Sequence, residues 1–483
     1  MLMNWKEKKT VQRKTLTRAI SALLCLAGAG VATGALGEAV QQGFYGVIKA
    51  GAYYINNPLT VGPGQAKQGD SAARLMPEIG YRRNTDSLEM DVSYAMDAVQ
   101  YGKTDGVNSV QHKILGRALW KALPEWLSVE AKGSRVQQAA DPLGASNLNG
   151  LLGDNNRLDV DSASFGPRLR HEFGNSLLEG HYTLTRTRYN RRGQVLNGYV
   201  SDANDQDGYL SWGTGKDDGR FGWGVEAKHQ RTTYGTNSFA PFQYDRIGVN
   251  VSVPVGARWS VIASGGKESD VAKSSSKGGL DSTAWEGGVR WSGPQNMTRF
   301  EAAYGKRYFG NSFRAAFARQ AKFLTLSASY TEEPTTETSR LTRASSVAQI
   351  GDGFQVNAPY LLKEAALSAI LTGSRSELEV ELYDRRRDFA AAGIVGRGTD
   401  LGRGIYGRVT RRLSSRMEFT FDGSWEQVSL GALGGYKIAE GGLELSREIG
   451  AETDIIFGVR RWERGGAAPF KVVAGYVQVA KKF

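Results

Sequence analysis

A chain of 483 residues with 61 glycines, 12 prolines and hydrophobic residues at 40%, interspersed with charge, is too apolar to be a disordered polymer. Mean hydropathy is −0.39 and no run of 18 apolar residues follows the N-terminal segment, which excludes a helical membrane protein. The net charge of +12 is partly local: Lys6, Lys8, Lys9, Arg13, Lys14 and Arg18 oppose Glu7 alone, and without them 12 − (6 − 1) = +7 remains, too mild an excess to point to nucleic acid.

Those first residues form a basic head to the apolar stretch "AISALLCLAGAGVA" (19–32), followed by small residues, which predicts a secretory signal over 1–38 with cleavage between Gly34 and Ala39. Cys25, the one cysteine, lies inside the apolar run behind Leu24. The mature chain is therefore expected to carry no disulfide, thiolate metal site or thiol nucleophile.

From there on period-two alternation dominates. "LEMDVSYA" sets Leu88, Met90, Val92 and Tyr94 against Glu89, Asp91 and Ser93. "RIGVNVSVPV" and "TAWEGGVRW" repeat the pattern, and "FLTLSASY" sets Leu324, Leu326, Ala328 and Tyr330 against Thr325, Ser327 and Ser329. "RMEFTFDGSW" sets Met417, Phe419, Phe421 and Trp425 against Arg416, Glu418, Thr420, Asp422 and Ser424. Helix caps and amphipathic helices are not evident, so the chain is all-β. Its 22 candidate strands begin near residues 44, 74, 87, 110, 126, 162, 176, 207, 220, 243, 257, 282, 297, 311, 322, 365, 376, 403, 416, 436, 452 and 470. Short turns such as "RNTDS" (83–87), "EFGNS" (172–176) and "TGSRS" (372–376) alternate with long polar connections near 56–73, 97–109, 137–161, 190–206, 267–281, 331–364 and 385–402. "RYFGNS" (307–312) is the short exception among the latter.

Short turns on one side and long loops on the other are the asymmetry of a bacterial outer-membrane barrel. Segments of about ten residues suit tilted membrane-crossing strands. Aromatics gather at segment ends (Tyr53 and Tyr54, Trp120 and Trp126, Trp285 and Trp291, Tyr308 and Phe309, Trp425, Trp462), as interfacial girdles require. The expectation is one large antiparallel transmembrane β-barrel over 39–483, of about 22 strands within a range of 16–22, in the outer membrane. Lys306 and Arg408 stand against it as charges on the expected lipid face.

The block 283–338, "TAWEGGVRWSGPQNMTRFEAAYGKRYFGNSFRAAFARQAKFLTLSASYTEEPTTET", resembles the uncharacterised outer-membrane β-barrel family associated with PEP-CTERM/exosortase systems. The resemblance is carried by Trp291 with Pro294, Tyr304-Gly305, Arg307 through Asn311, the "LSASY" strand and its Thr/Glu-rich continuation. "DNNR" (154–157) and "YDRRRDF" (383–389) are similar to other pieces of the family. Members accompany exopolysaccharide and protein-sorting genes, which implies a part in export or surface assembly. The family has no known catalytic residue to carry over.

Among candidate sites, His112, His171, His181 and His229 are the only histidines, and His171 and His181 fall on adjacent strands near Asp161 and Glu179. No nucleophile motif accompanies them and no close pair suits a metal, so polar wall histidines are the better reading and neither enzyme nor cofactor is expected. Inward-facing charges are more informative: Glu89, Asp91, Glu226, Lys228, Glu286, Arg290, Arg299, Glu301, Arg307, Glu377, Glu379, Glu381, Arg416, Glu418 and Asp422. Both signs interleave along the chain, as in a wet polar wall stiffened by cross-strand pairs. The first strand starts close behind the signal, leaving no room for a plug in a lumen this wide, so the lumen is open or filled by its own loops. The long Thr/Ser/Glu-rich connection at 331–364 is the expected constriction or lid.

The reading is a passive outer-membrane pore for an exopolysaccharide or related polymer, with a structural or anchoring barrel of loop-filled lumen as first alternative and a barrel enzyme as second. Expected partners are outer-membrane lipid, the barrel-assembly machinery and polysaccharide, without nucleic acid. The chain ends "KVVAGYVQVAKKF", whose Phe483 resembles the terminal assembly signal of outer-membrane proteins. Lys481 departs from that signal, where an apolar residue is expected.

Overall fold

The computed structural model describes residues 42–104, 108–138, 151, 156–192, 201–214, 221–235, 241–271, 279–343, 358–389, 398–431 and 434–483. The predicted signal and its cleavage region lie outside the described residues.

Alternating sequences become strands throughout. The first are β1 (Gly43–Ile55), β2 (Asp70–Asn84), β3 (Leu88–Tyr101), β4 (Ser109–Leu123), β5 (Leu127–Gln138), β6 (Arg157–Phe173) and β7 (Ser176–Arg192). Next come β8 (Ala203–Thr214), β9 (Gly222–Tyr234), β10 (Phe242–Pro254), β11 (Trp259–Glu268), β12 (Ser282–Ser292), β13 (Thr298–Arg307), β14 (Gly310–Gln320) and β15 (Leu324–Thr335). The last are β16 (Tyr360–Thr372), β17 (Ser376–Phe389), β18 (Thr399–Ser414), β19 (Met417–Ser429), β20 (Gly435–Gly450), β21 (Thr453–Gly466) and β22 (Phe470–Lys482). Besides a single 3₁₀ turn at Pro294–Asn296, the described residues hold one helix, α1 (Glu337–Arg343). Every observed strand begins within five residues of its expected start.

Each strand pairs antiparallel with the next, and β22 returns to β1 in the register Val47↔Lys482 through Ile55↔Ala474, so one 22-stranded sheet closes on itself. Closure removes both edges, which is what lets strands cross lipid with every ladder bond made. One face of this wall is apolar and exposed: Phe44, Ile48, Ile79, Val92, Leu184, Leu210, Ile247, Val249, Phe421, Leu443, Val459 and Val477 all point outward. Trp120, Trp126, Phe173, Trp212, Trp223, Trp259, Phe323 and Phe483 gather at the short-turn end, and Tyr54, Trp285 and Tyr304 toward the other. Such a belt is stable only against hydrocarbon, so the chain is an outer-membrane β-barrel with its short turns facing the periplasm.

Two glycines bear on closure and on the exceptional short connection. Gly310 (φ +111) lets β13 turn into β14 through Tyr308 and Phe309 alone. Gly46 seats the last residue: the backbones of Gly46 and Phe483 exchange hydrogen bonds of 2.9 and 3.1 Å, and the Phe483 ring lies where a Cβ on residue 46 would have to be. Lys481 keeps the lipid-facing parity at the periplasmic rim, where its Nζ donates to the Ala451 carbonyl at 2.8 Å. The ammonium thus reaches back to the turn instead of facing hydrocarbon.

Candidate functional site

The candidate site is the lumen. Opposite parity to the lipid belt places Glu89, Asp91, Glu226, Lys228, Glu286, Arg290, Arg299, Glu301, Arg307, Glu377, Glu379, Glu381, Glu418 and Asp422 on its wall. Arg416 is a correction: it sits in the turn Ser415–Arg416 between β18 and β19, exposed at the periplasmic rim, because β19 starts one residue later than its alternation suggested. Arg408 is the reverse correction. Its neighbours Leu401 and Ile405 face lipid and Arg408 faces the lumen, so no lipid-face charge exists there. Lys306 does face outward, one residue from the outer end of β13.

In the periplasmic half, ion pairs lace the wall. Arg460 reaches Asp422 at 2.8 Å, Glu440 at 2.5 Å and Glu444 at 3.8 Å. Arg290 meets Glu301 at 2.8 Å, and Arg314 meets both Glu301 and Glu286. Glu130 gathers Arg168 at 2.6 Å, Arg117 at 2.7 Å and Lys132 at 3.3 Å. The signs that interleave in sequence are unevenly shared in space. Around Arg408, strands β17–β20 contribute Glu377, Glu379, Glu381, Glu418, Asp422, Glu440 and Glu444, whereas around Glu130, strands β4–β6 contribute Lys113, Arg117, Lys121, Lys132 and Arg168 on the far side. A solute in this half meets a transverse field.

The outer half is different. A circular barrel of 22 strands is roughly 40 Å across at a strand spacing of about 4.8 Å and a tilt of about 40°, which would hold β9 and β15 roughly 30 Å apart. Instead Lys228 Nζ of β9 lies 4.0 Å from Glu333 Oε2 of β15. The upper wall is pinched, and the start of the 331–364 connection makes the latch. Thr335, Thr336, Glu337, Thr338 and Ser339 are all buried. Asp205 of β8, 3% exposed, accepts Thr232 Oγ1 of β9 at 2.5 Å and Ser339 Oγ of α1 at 2.9 Å. Thr336 Oγ1 lies 3.3 Å from Thr232 Oγ1 and donates to Ser339 Oγ at 3.0 Å. On the opposite wall Tyr360 OH donates to Glu337 Oε2 at 2.9 Å, with Arg340 at 3.2 Å and Arg387 at 4.0 Å from the same carboxylate. Residues 344–357 of the connection lie outside the described residues.

Apolar inward positions thicken this outer half. Tyr53, Ile55, Trp462, Phe470 and Val472 pack with Leu151 of the β5–β6 connection, whose carbonyl accepts the Tyr101 hydroxyl. Val136, Leu158, Val160 and Tyr189 form a second cluster, and Ala358, Val428, Leu430 and Tyr436 a third. Beside them Arg307 Nη2 donates to Glu268 Oε2 at 2.8 Å and to Tyr244 OH at 2.7 Å, all three buried.

The histidines do not converge. His171 faces outward and stacks on Trp126 in the periplasmic girdle, whereas His181 faces the lumen with its Nε2 3.0 Å from Asp207 Oδ1. His229 and Asp245 meet at 2.6 Å on the outer face, as His112 meets the Tyr94 hydroxyl at 2.8 Å. Among the described residues no group of histidine and carboxylate side chains is placed to hold a metal ion.

No protein-family model and no curated protein matches the chain. Solved structures with a similar architecture include the siderophore receptor PirA from Pseudomonas aeruginosa, at 9% identity and TM-score 0.45 over 92% of this chain and 81% of that one. A mutant of the ferric enterobactin receptor PfeA from the same organism, in complex with enterobactin, aligns at 10% identity and TM-score 0.48 over 92% and 82%. The outer membrane protein OpdK from Pseudomonas aeruginosa aligns at 10% and 0.33 over 91% and 99%. At these identities and scores neither a ligand nor a mechanism carries over.

Proposed function

We propose that the barrel is a passive pore of the outer membrane, pinched by the latch between α1 and the β8–β9 and β16–β17 walls, and that its cargo is an exopolysaccharide or related surface polymer handled with a PEP-CTERM/exosortase system. The observation that carries the pore is the contrast between the two halves of the lumen. Its periplasmic half is lined by charged side chains, many of them only half-buried, as an aqueous path requires. Its outer half narrows at one polar latch rather than through a continuous apolar core. The two walls meet through a few hydroxyl–carboxylate contacts such as Ser339 to Asp205, each contributing about 1.5–3 kcal/mol, which suits a constriction that opens.

The cargo rests on the resemblance of 283–338 to barrels that accompany exopolysaccharide and protein-sorting genes. A wall of both signs suits a bulky neutral or weakly charged polymer better than a single inorganic ion. Deleting the gene and measuring secreted polysaccharide tests the cargo: export restored by the intact gene supports it, and unchanged export in the deletion strain refutes it.

A structural or anchoring barrel is the second reading, favoured by the three inward-facing apolar clusters of the outer half. It predicts no conductance even when the latch is cut. A barrel enzyme using His181 and Asp207 would lose its activity with His181→Ala, whereas the pore would conduct unchanged.

A further inference from the structure

The lipid-facing surface is not uniform. Between β6 and β10 it sinks into an apolar groove of about 760 Å³, floored by Gly180, Gly208 and Ala227 and walled by Leu169, Tyr182, Leu210 and Ile247. The floor follows the registers Gly180↔Leu210↔Ala227↔Ile247 and Tyr182↔Gly208↔His229, where the Leu210 and Tyr182 side chains lie close against Gly180 and Gly208. Leu280 of the β11–β12 connection stands above it.

The next residues toward the outer ends of these strands, still on the outward parity, change character together. Above Tyr182 and Leu184 comes Arg186; above His229 comes Arg231; beside Ile247 lies Lys267 in the register Ile247↔Lys267. All three cations are exposed, and among the described residues none makes an ion pair. Gln206 and Gln243 flank Arg231 in the registers Gln206↔Arg231↔Gln243. The nearby carboxylates are already held: Asp245 by His229 at 2.6 Å and by Gln243 Nε2 at 2.9 Å, and Asp161 of β6 by Arg135 Nη2 at 2.7 Å.

Height decides what this rim meets. Arg186, Arg231 and Lys267 stand ten, nine and eight residues above the periplasmic starts of their strands at Ser176, Gly222 and Trp259. At about 3.3 Å per residue and a tilt of about 40°, that is roughly 20–25 Å, the height of the apolar band of such barrels. The cations therefore sit at the headgroups of the outer leaflet, directly over an apolar groove in its acyl region. Outward cations stand at similar heights elsewhere, but Arg135, Arg386, Arg461 and Lys471 meet the carboxylates of Asp161, Asp388 and Glu463, whereas Arg186, Arg231 and Lys267 lie together over the groove without such a partner among the described residues.

We propose that this face binds a phosphorylated glycolipid of the outer leaflet, with an acyl chain in the Gly180–Gly208–Ala227 groove, phosphates on Arg186, Arg231 and Lys267, and sugar hydroxyls on Gln206 and Gln243. Guanidinium groups suit phosphate through paired, charge-assisted hydrogen bonds, and an anchored chain adds the apolar share. The assignment does not depend on the pore being open.

The test is native mass spectrometry of the full barrel in mild detergent with bis-phosphorylated lipid A as probe, alongside phosphatidylglycerol and inorganic phosphate. The expected result is a one-to-one lipid A adduct that survives where the other two are lost. Arg186→Gln/Arg231→Gln/Lys267→Gln should weaken it about a hundredfold, at roughly fivefold per cation, while Arg319→Gln/Arg447→Gln at the opposite rim leaves it unchanged. If the triple variant fails to show the heat-modifiable band of a folded barrel, Arg231→Gln alone carries the test at about fivefold. No adduct, equal retention of phosphatidylglycerol, binding of free phosphate without the lipid, or wild-type affinity in the variants would each overturn the assignment.

Discussion

Cutting the latch at Asp205 should open the outer lumen without unfolding the wall. The Asp205 carboxylate accepts two hydroxyls, Thr232 Oγ1 at 2.5 Å and Ser339 Oγ at 2.9 Å, and only the second ties α1 to the β8–β9 wall directly. Hydrogen bonds to a charged group contribute about 1.5–3 kcal/mol each. Asp205→Ala removes the Oδ1 that accepts both hydroxyls and also frees Thr232, which touches Thr336 at 3.3 Å. We therefore expect the closed latch to lose about 1.5–3 kcal/mol, a shift of about one to two decades in the open fraction at 1.4 kcal/mol per decade. The β8 ladder, Ala203↔Thr187 through Thr214↔Ser176 on one side, uses backbone groups only and is left intact. The readout is the maleimide labelling rate of Thr338→Cys, a fully buried position in a mature chain that otherwise lacks cysteine once Cys25 leaves with the predicted signal. Labelling follows the open population when the latch opens and closes faster than the reagent reacts. Asp205→Ala should accelerate it about ten- to a hundredfold, and Asp205→Asn, which keeps an acceptor, by less. A rate unchanged by Asp205→Ala would show that the latch does not hold α1 against the wall.

Three further outcomes follow from particular contacts. Gly46→Val should delay appearance of the heat-modifiable folded band, because its Cβ would displace the Phe483 ring at the β1–β22 seam; Gly116→Ala, whose Cβ finds only ordinary contact with Val92 at 3.6 Å, should assemble normally. Arg307→Met should destabilise the outer half by about 3–5 kcal/mol in urea titrations by stranding Glu268, and Arg307→Met/Glu268→Gln should recover part of the loss; equal losses would mean that the buried pair is not what the substitution breaks. Glu379→Gln/Glu381→Gln should move the reversal potential in a KCl gradient toward anion preference, since both carboxylates line the acidic β17–β20 arc opposite Lys113 and Arg117; a potential that stays put would mean that this arc does not face the ion path.

The wall was legible in the sequence and the interior was not, for a physical reason. Alternation is a local property: Leu88 to Tyr94 or Met417 to Phe421 announce both strand and face without knowledge of any partner. Where alternation weakens, so does the reading. In "GRGIYGRV" (402–409) glycines leave Ile405 and Tyr406 as adjacent apolar residues, and only the pairing of β18 with β17 puts Arg408 inside. The 331–364 connection was recognisable from its length and composition as a candidate constriction or lid. Its latch was not, because Asp205 and Ser339 are 134 residues apart and meet only through closure and pinching of the barrel. The uneven sharing of lumen charges and the gathering of Arg186, Arg231 and Lys267 over one groove are also properties of the closed ring. They need the angular order of strands, which no window of sequence contains. The resemblance of 283–338 drew attention to Arg307, and the structure gives that residue a buried partner in Glu268.

Single-channel conductance in planar bilayers tests the central claim most directly, comparing the intact barrel with one lacking residues 336–357, in which Ala358 and Pro359 still join Thr335 to Tyr360. A pinched pore predicts small or intermittent steps from the intact barrel and large, steady ones from the shortened barrel. Absence of conductance from both, with both folded, would contradict a pore and leave the anchoring barrel.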